Sequence, residues 1–304
     1  MMTPGEVPAK REEMEPGLIR LLAPNPSPMT LHGTNIYLIG ESSLAVIDPG
    51  PANDAHLQAI LDAAAGRPIE AVFVTHSHVD HSRLAPALAR EAGAPVLAFG
   101  DSTAGRSPLM EALAKEGGIG GGEGVDAGFR PDRRLADGEV VRGADWEITA
   151  LHTPGHFGNH MCFSWNGALF TGDHVMGWAS SLVSPPDGNL AHFMASCRRL
   201  LTREDRILYP GHGAPVRDPR KRIGELIAHR EMREAQIVEA LRGGPLTPAE
   251  ITARIYRDTP PALLAMAERN VLAHLLDLME SGRAEAVDKI SSKARFRLTD
   301  TGGG

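Results

Sequence analysis

Apolar positions in the first two thirds of the chain fall in short, β-branched runs closed by turn residues, the pattern of buried strands separated by helices and loops. Residues 35–39 and 43–47 are two such runs around Gly40-Glu41-Ser42, which predicts a hairpin, and Asp48-Pro49-Gly50 stops the second strand. Residues 54–65 have helical composition, with Asn53 as N-cap and Gly66 as stop. The run AVFVT at residues 71–75 predicts a buried strand, followed at once by a polar turn and a helix through Arg90. Further strands are predicted at residues 95–98, 139–141, 146–151, 160–165, 168–171 and 206–209, and a helical stretch at 191–201. Strand, turn and helix in succession predict an α/β arrangement. Residues 1–33, with Pro24, Pro26 and Pro28 alternating, predict an extended lead-in, and GGIGGGEG at 117–124 predicts a mobile loop.

The pattern changes near Gly243-Gly244-Pro245. Before it, residues 218–241 predict one long charged helix. After it, Thr247-Pro248-Ala249-Glu250 is a capping box with proline at the first helical position, opening a helix to about Arg257. A second helix at 261–281, stopped by Gly282, and a hairpin at 283–298 complete the order helix, helix, hairpin, which predicts a winged-helix module. The expected units are residues 1–242 and 243–304.

Composition places the chain among globular proteins: 304 residues, 42% hydrophobic and 23% charged. The net charge of −7 excludes a general attraction to nucleic acid or anionic membrane. Cys162 and Cys197 have no C-x-x-C spacing, which fits a reducing compartment. The first twenty residues mix acids and bases without an apolar core of leader length, and no run approaches a membrane span. A soluble, cytoplasmic protein is the expectation. What stands out is thirteen histidines against two cysteines.

Six positions after the strand at 71–75 hold His76, His78, Asp80 and His81. His76 and His78, two apart on extended backbone, point the same way, whereas Asp80 and His81 open the following helix and turn elsewhere. The run can therefore address two neighbouring metal ions; imidazole and carboxylate suit zinc, with iron or manganese as alternatives. More candidates sit at later strand ends: His152-Thr153-Pro154-Gly155-His156, Gly172-Asp173-His174 and Pro210-Gly211-His212-Gly213. Strand ends form the binding crevice of open α/β sheets, so a site scattered in sequence converges in space.

In this order Asp48, THSHVDH, TPGH, TGD and PGHG resemble the five motifs of the metallo-β-lactamase superfamily over roughly residues 18–240. The resemblance implies a four-layer αβ/βα sandwich, two mixed sheets face to face with helices outside. It implies that His76, His78 and His156 hold one metal, that Asp80, His81 and His212 hold the other, and that Asp173 bridges them. His229-Arg230-Glu231, Arg233 and the tail around Asn270 to Leu275 are similar to the β-lactamase-like protein 2 type group, which includes a single-strand ribonuclease and fungal polyketide thioesterases. That group shares a scaffold without sharing a substrate.

Two such ions activate a bridging water, so the expected activity is hydrolysis of a thioester, lactone or related ester with no serine or cysteine nucleophile. Asp80 is expected both to ligate metal and to hold the attacking water. Asp48 is expected to orient a ligand histidine from behind, and His152, His160 and His174 are candidates for supporting or substrate-contacting roles. Cys162 and Cys197 are expected to be packing residues. Lys289, Lys293, Arg295 and Arg297 cluster in the predicted hairpin and leave RNA open as a partner, with an endoribonuclease as the alternative enzyme. Few aromatics lie there to stack bases. A winged-helix nucleic-acid-binding regulator is a reading of another class; it needs a missing ligand, and none is missing. The sequence leaves room for a homodimer.

Overall fold

The structure, a computed structural model, describes residues 10–300. A first sheet contains β1 (Arg11–Glu15), β2 (Leu18–Leu22), β3 (Asn35–Ile39), β4 (Leu44–Ile47), β5 (Ile69–Phe73), β6 (Val96–Ala98) and β7 (Arg133–Arg134), paired in that order. The first four strands pair antiparallel; β4 to β7 run parallel. Their crossovers carry α1 (Asp54–Ala64), the short α2 (Val79–Ser82), α3 (Ala85–Ala92) and α4 (Pro108–Glu116). A second sheet has the order β12-β11-β10-β9-β8, from β8 (Val140–Arg142), β9 (Glu147–His152), β10 (Met161–Trp165), β11 (Ala168–Gly172) and β12 (Ile207–Pro210). Two helices follow: α5 (Leu190–Leu201), between β11 and β12, and α6 (Pro219–Leu241) after them.

Side-chain alternation explains how the sheets stack. In β3, Ile36 and Leu38 pack with α1 and α3, whereas Tyr37 and Ile39 face the second sheet. Both faces of the central strands are buried, which is why they read as continuous apolar runs. Phe73 and Phe163 meet edge to face across the inter-sheet core at 5.1 Å. The outer face of the second sheet packs on α5 and α6. The result is helices, sheet, sheet, helices.

The tail begins with α7 (Pro248–Ile255), whose capping box forms as the sequence predicts, with the Thr247 amide donating to the Glu250 carboxylate at 2.8 Å. A 3-10 turn (Pro261–Leu263), α8 (Leu264–Glu280) and the antiparallel pair β13 (Ala284–Ala286) and β14 (Phe296–Leu298) complete it. This small unit shares its core with α4 and the end of α6.

Two expectations need correction. Of the predicted lead-in, residues 1–9 lie outside the described residues, but β1 and β2 form a hairpin within it; the charged REEME run of β1 is an edge strand with little to bury, so it gives no apolar signal. The glycine-rich segment is tied down: Ile119 is buried beside Met110 and Leu113, the Gly122 amide donates to Asp187, and the Gly124 carbonyl accepts from Val79.

Candidate metal centre

β4 and β5 end side by side, and that edge builds the first half of the site. Asp48 follows β4 with φ of +51°, a left-handed conformation that aspartate tolerates better than most residues. Turned this way, its carboxylate accepts from the Thr75 amide and hydroxyl, both at 2.7 Å, and from His81 Nδ1 at 2.8 Å. His81 is thereby fixed with Nε2 toward the centre. His212, after β12, donates Nδ1–H to the Gly33 carbonyl at 3.1 Å, and His156, after β9, donates Nδ1–H to the Leu182 carbonyl at 2.7 Å.

Two groups of donors result. His76, His78, His156 and Asp173 offer ligand atoms that all lie within 4.8 Å of one another, and so do Asp80, His81 and His212. Asp173 lies between the groups: Oδ2 is 3.8 Å from His156 Nε2, and Oδ1 is 3.4 Å from His81 Nε2 and 3.3 Å from His212 Nε2. Space here is minimal, since a Cβ on Gly211 would stand 2.6 Å from Asp173 Oδ1 and 2.7 Å from His81 Cε1. That close approach explains the glycine of the PGHG run.

The hydrogen bonding fits a bound cation. The Thr75 hydroxyl spends its proton on Asp48, so His76 Nδ1 must donate to it, leaving a lone pair on His76 Nε2. His156 Nε2 likewise carries a lone pair, because Nδ1–H is committed to Leu182. Both lone pairs face His78 Nδ1, at 2.9 and 3.2 Å. A single proton there serves only one of them, whereas a metal ion satisfies all three nitrogens. His81 Nε2 and Asp173 Oδ1 are also buried without a hydrogen-bond partner.

Electrostatics separates the groups. Burial, reinforced by His156, pushes His78 down to about 3, and burial also lowers His76 and His156, so this trio presents neutral imidazoles. Burial would lower His212 as well, but the Asp173 and Asp80 carboxylates outweigh it and lift the imidazole to about 9. Asp80 is held below the usual carboxylate range because His81 and His212 outweigh its own burial.

The other candidates fall into two places. His160 and His174 stand behind the donors: the His160 ring is 5.2 Å from that of His76 and 5.6 Å from that of His174, whose Nε2 is 3.5 Å from Cys197 Sγ. His152 is directed elsewhere, stacked on Phe99 at 3.7 Å with Nε2 donating to the Gly158 carbonyl, so its place directly before the TPGH motif does not bring it to the cleft. Burial pushes both Cys162 and Cys197 thiols up to about 12, which rules them out as ready nucleophiles.

Sequence reasoning missed what grips the Leu182 carbonyl. Asn270 Oδ1, on α8, accepts from the Val183 amide at 3.1 Å and from Arg230 Nη1 at 2.9 Å. Arg230, on α6, also donates to the Ser181 carbonyl, and the Ser181 hydroxyl in turn donates to the carbonyls of Asp173 and His174. Arg269 donates to Ser184 Oγ at 2.9 Å. Thr34, whose hydroxyl donates to Asp80 Oδ2 at 3.1 Å, was missed as well. Backbone carbonyls carry no signature in a sequence, and of the gripping residues only Arg230 and Asn270 lie in the runs that carry the resemblance.

A cavity of about 390 Å³ opens over the donors, lined by His78, Asp80, His156, Asp173 and His212 and walled by the start of α8. A pair of histidine and aspartate clusters at the open edge of a four-layer sandwich defines a hydrolase that works with divalent metal. The chain belongs to the metallo-beta-lactamase superfamily: residues 29–212 match that family, and residues 247–293 match the beta-lactamase associated winged helix domain. It is 34% identical to an atrochrysone carboxyl ACP thioesterase of Paecilomyces divaricatus, over 96% of this chain and 82% of that one. It is 30% identical to the beta-lactamase-like protein 2 homolog of Drosophila melanogaster, over 88% and 89%. The crystal structure of a beta-lactamase domain protein from Burkholderia ambifaria matches with a TM-score of 0.79 at 25% identity, over 97% of this chain and 96% of that one. No helix among the described residues is long and apolar enough to cross a membrane.

Proposed function

We propose that this chain is a binuclear zinc hydrolase of a thioester, lactone or related ester, with a carrier-linked thioester as the preferred substrate. The observation that carries the reading is Asp173, with one carboxylate oxygen toward each donor group. His76, His78 and His156 would hold one ion, Asp80, His81 and His212 the other, and Asp173 both. Seven nitrogen and oxygen donors without a thiolate suit zinc, ahead of iron or manganese. Bound there, two ions supply hydroxide at neutral pH and stabilise the oxyanion of the attacked carbonyl.

The protein's own part is positioning and proton transfer. Asp80 has 22% of its side chain exposed, against 12% for Asp173, and lines the cavity. Thr34 engages one of its oxygens, which leaves the other to take the proton of the attacking water. As the carbon–oxygen bond forms and the carbon–sulfur or carbon–oxygen bond breaks, that proton passes to the departing thiolate or alkoxide.

The thioesterase name of a relative that this chain largely covers supports the thioester. Charge supports it too. The two guanidiniums along the cleft are occupied, Arg269 by Ser184, Ile119 and Pro185, and Arg230 by Ser181 and Asn270, which leaves little to receive a polyanion. In the hairpin Arg295 pairs with Asp288, Arg297 with Glu285 and Lys289 with Glu116, so the ribonuclease reading loses three of its four cations. We place the boundary between the two units at 242/243, and the unpaired thiols fit a cytoplasmic setting. Metal analysis of the purified protein should find about two zinc ions per chain, and a panel of thioesters, lactones and RNA should show metal-dependent thioester hydrolysis. Cleavage of RNA alone would overturn the reading.

A further inference from the structure

Beside the cavity over the donors lies a second one of about 260 Å³, and His156 and Asp173 line both. The reacting centre therefore sits where two lobes meet, as a hydrolase needs for the two halves of its substrate. Met29, Leu182 and Met266 face both lobes, so both are largely apolar, and the first adds Glu123, Ser184 and Asp187. The second is lined by Met29, Met176, Trp178, Tyr256, Leu263 and Met266, half of them contributed by the C-terminal unit. Arg230 stays cationic at the edge of this lobe, but its terminal nitrogens bond Asn270 and Ser181 and its Nε is buried.

Trp178 ties the second lobe to the metal centre. Its ring lies so close to Gly213, the neighbour of His212, that a Cβ on the glycine would stand 2.7 Å from Trp178 Cδ1. Trp178 and Met29 are nonetheless 38% and 44% exposed, two of only five large apolar side chains so open among the described residues. Exposed apolar groups gathered at the mouth of a catalytic cavity mark a surface that a ligand covers.

We infer that the second lobe receives the acyl group of the substrate, an apolar chain or ring, and that the C-terminal unit sets acyl specificity. The amide-bearing thiol arm then occupies the first lobe, beside Glu123. This rests on the thioester reading above, and the test separates the two.

Metal-loaded protein is assayed with N-acetylcysteamine thioesters of acetate, butyrate, hexanoate and octanoate. Specificity, kcat/KM, should rise about fourfold per methylene until the lobe is filled, the factor for burying one methylene. Trp178→Ala should lose roughly 15- to 60-fold more on octanoyl than on acetyl, two to three methylenes' worth of contact. Leu263→Trp, which fills the lobe, should abolish the rise with acyl length, so the pair stays informative if one variant fails to fold. Metal-free protein gives a readout without turnover: the octyl thioether of N-acetylcysteamine should bind at least about tenfold more tightly than the ethyl thioether, and Trp178→Ala should erase the difference. Thioester hydrolysis with no dependence on acyl length, or a dependence that survives both substitutions, overturns the lobe assignment and leaves the hydrolase reading standing. Preferential thioether binding with no turnover of any thioester overturns the hydrolase reading instead and leaves the apolar lobe in place.

Discussion

The two donor groups are held by different parts of the molecule. His81 is fixed by Asp48, a buried side chain rooted where β4 and β5 end, inside the sandwich. His156 is fixed by the Leu182 carbonyl, on a loop gripped by Arg230 of α6 and by Asn270 and Arg269 of α8. The His81 half is supported by the sheet, as is His76 through Thr75, whereas His156 is supported by helices that the catalytic motifs do not touch. A winged-helix unit therefore serves here as scaffold, independent of any nucleic-acid role.

Substitutions can break this comparison in graded steps. The largest effect is expected for Asp173→Ala, which removes the group between both halves: metal content should fall at both positions and kcat/KM by about 1,000-fold or more, on the scale of losing a member of a catalytic unit. Next, Asp48→Asn should weaken metal binding at the His81 half by about 10- to 100-fold, measured by chelator competition, and the His76 half less, because Asp48 reaches His76 only through Thr75. Asn270→Ala should do the reverse at the lower end of that range, weakening the His156 half, and the visible spectrum of the cobalt-substituted protein should report the change. If Asn270→Ala weakens both halves equally, the division is wrong.

The smallest effect concerns the grip's surroundings. His274, on α8, is buried with both ring nitrogens unpartnered, and burial together with Arg230, His229 and Arg233 pushes it down to about 3. Its folded value thus lies below the ordinary 6.5. The unfolded chain takes up a proton that the folded one refuses, so this contribution to stability is complete above 6.5 and is lost as pH falls from there toward 3. His274→Leu should raise stability by about 1 kcal/mol near neutral pH by removing two orphaned polar atoms, and flatten the acid side of the profile in thermal melts. An unchanged acid slope would count against it.

What could be read beforehand follows from where the chemistry resides. His76, His78, Asp80, His81, His156, Asp173 and His212 carry theirs in side chains inside short motifs, so their meeting was foreseeable. The partners that aim them were hidden because Gly33 and Leu182 act through carbonyls, which every residue has. The β1–β2 hairpin was hidden by the charge of an edge strand, and the anchoring of the glycine-rich segment by a single buried residue, Ile119, that composition cannot weigh. His152 misled for the opposite reason: standing directly before the TPGH motif made it a candidate for a supporting role, yet Phe99 claims its ring.

The spread of the donors along the chain also sets an order of events during synthesis. A growing polypeptide has His76, His78 and His81 long before His212, and α8 emerges later still. The His81 half can form once β12 has joined the second sheet, but the loop beneath His156 lacks the Asn270 and Arg269 part of its grip until the last helix is released and docks. On the proposed two-ion reading, loading of the second ion would thus report a finished molecule, and a nascent or C-terminally clipped chain would keep one half of its centre loose.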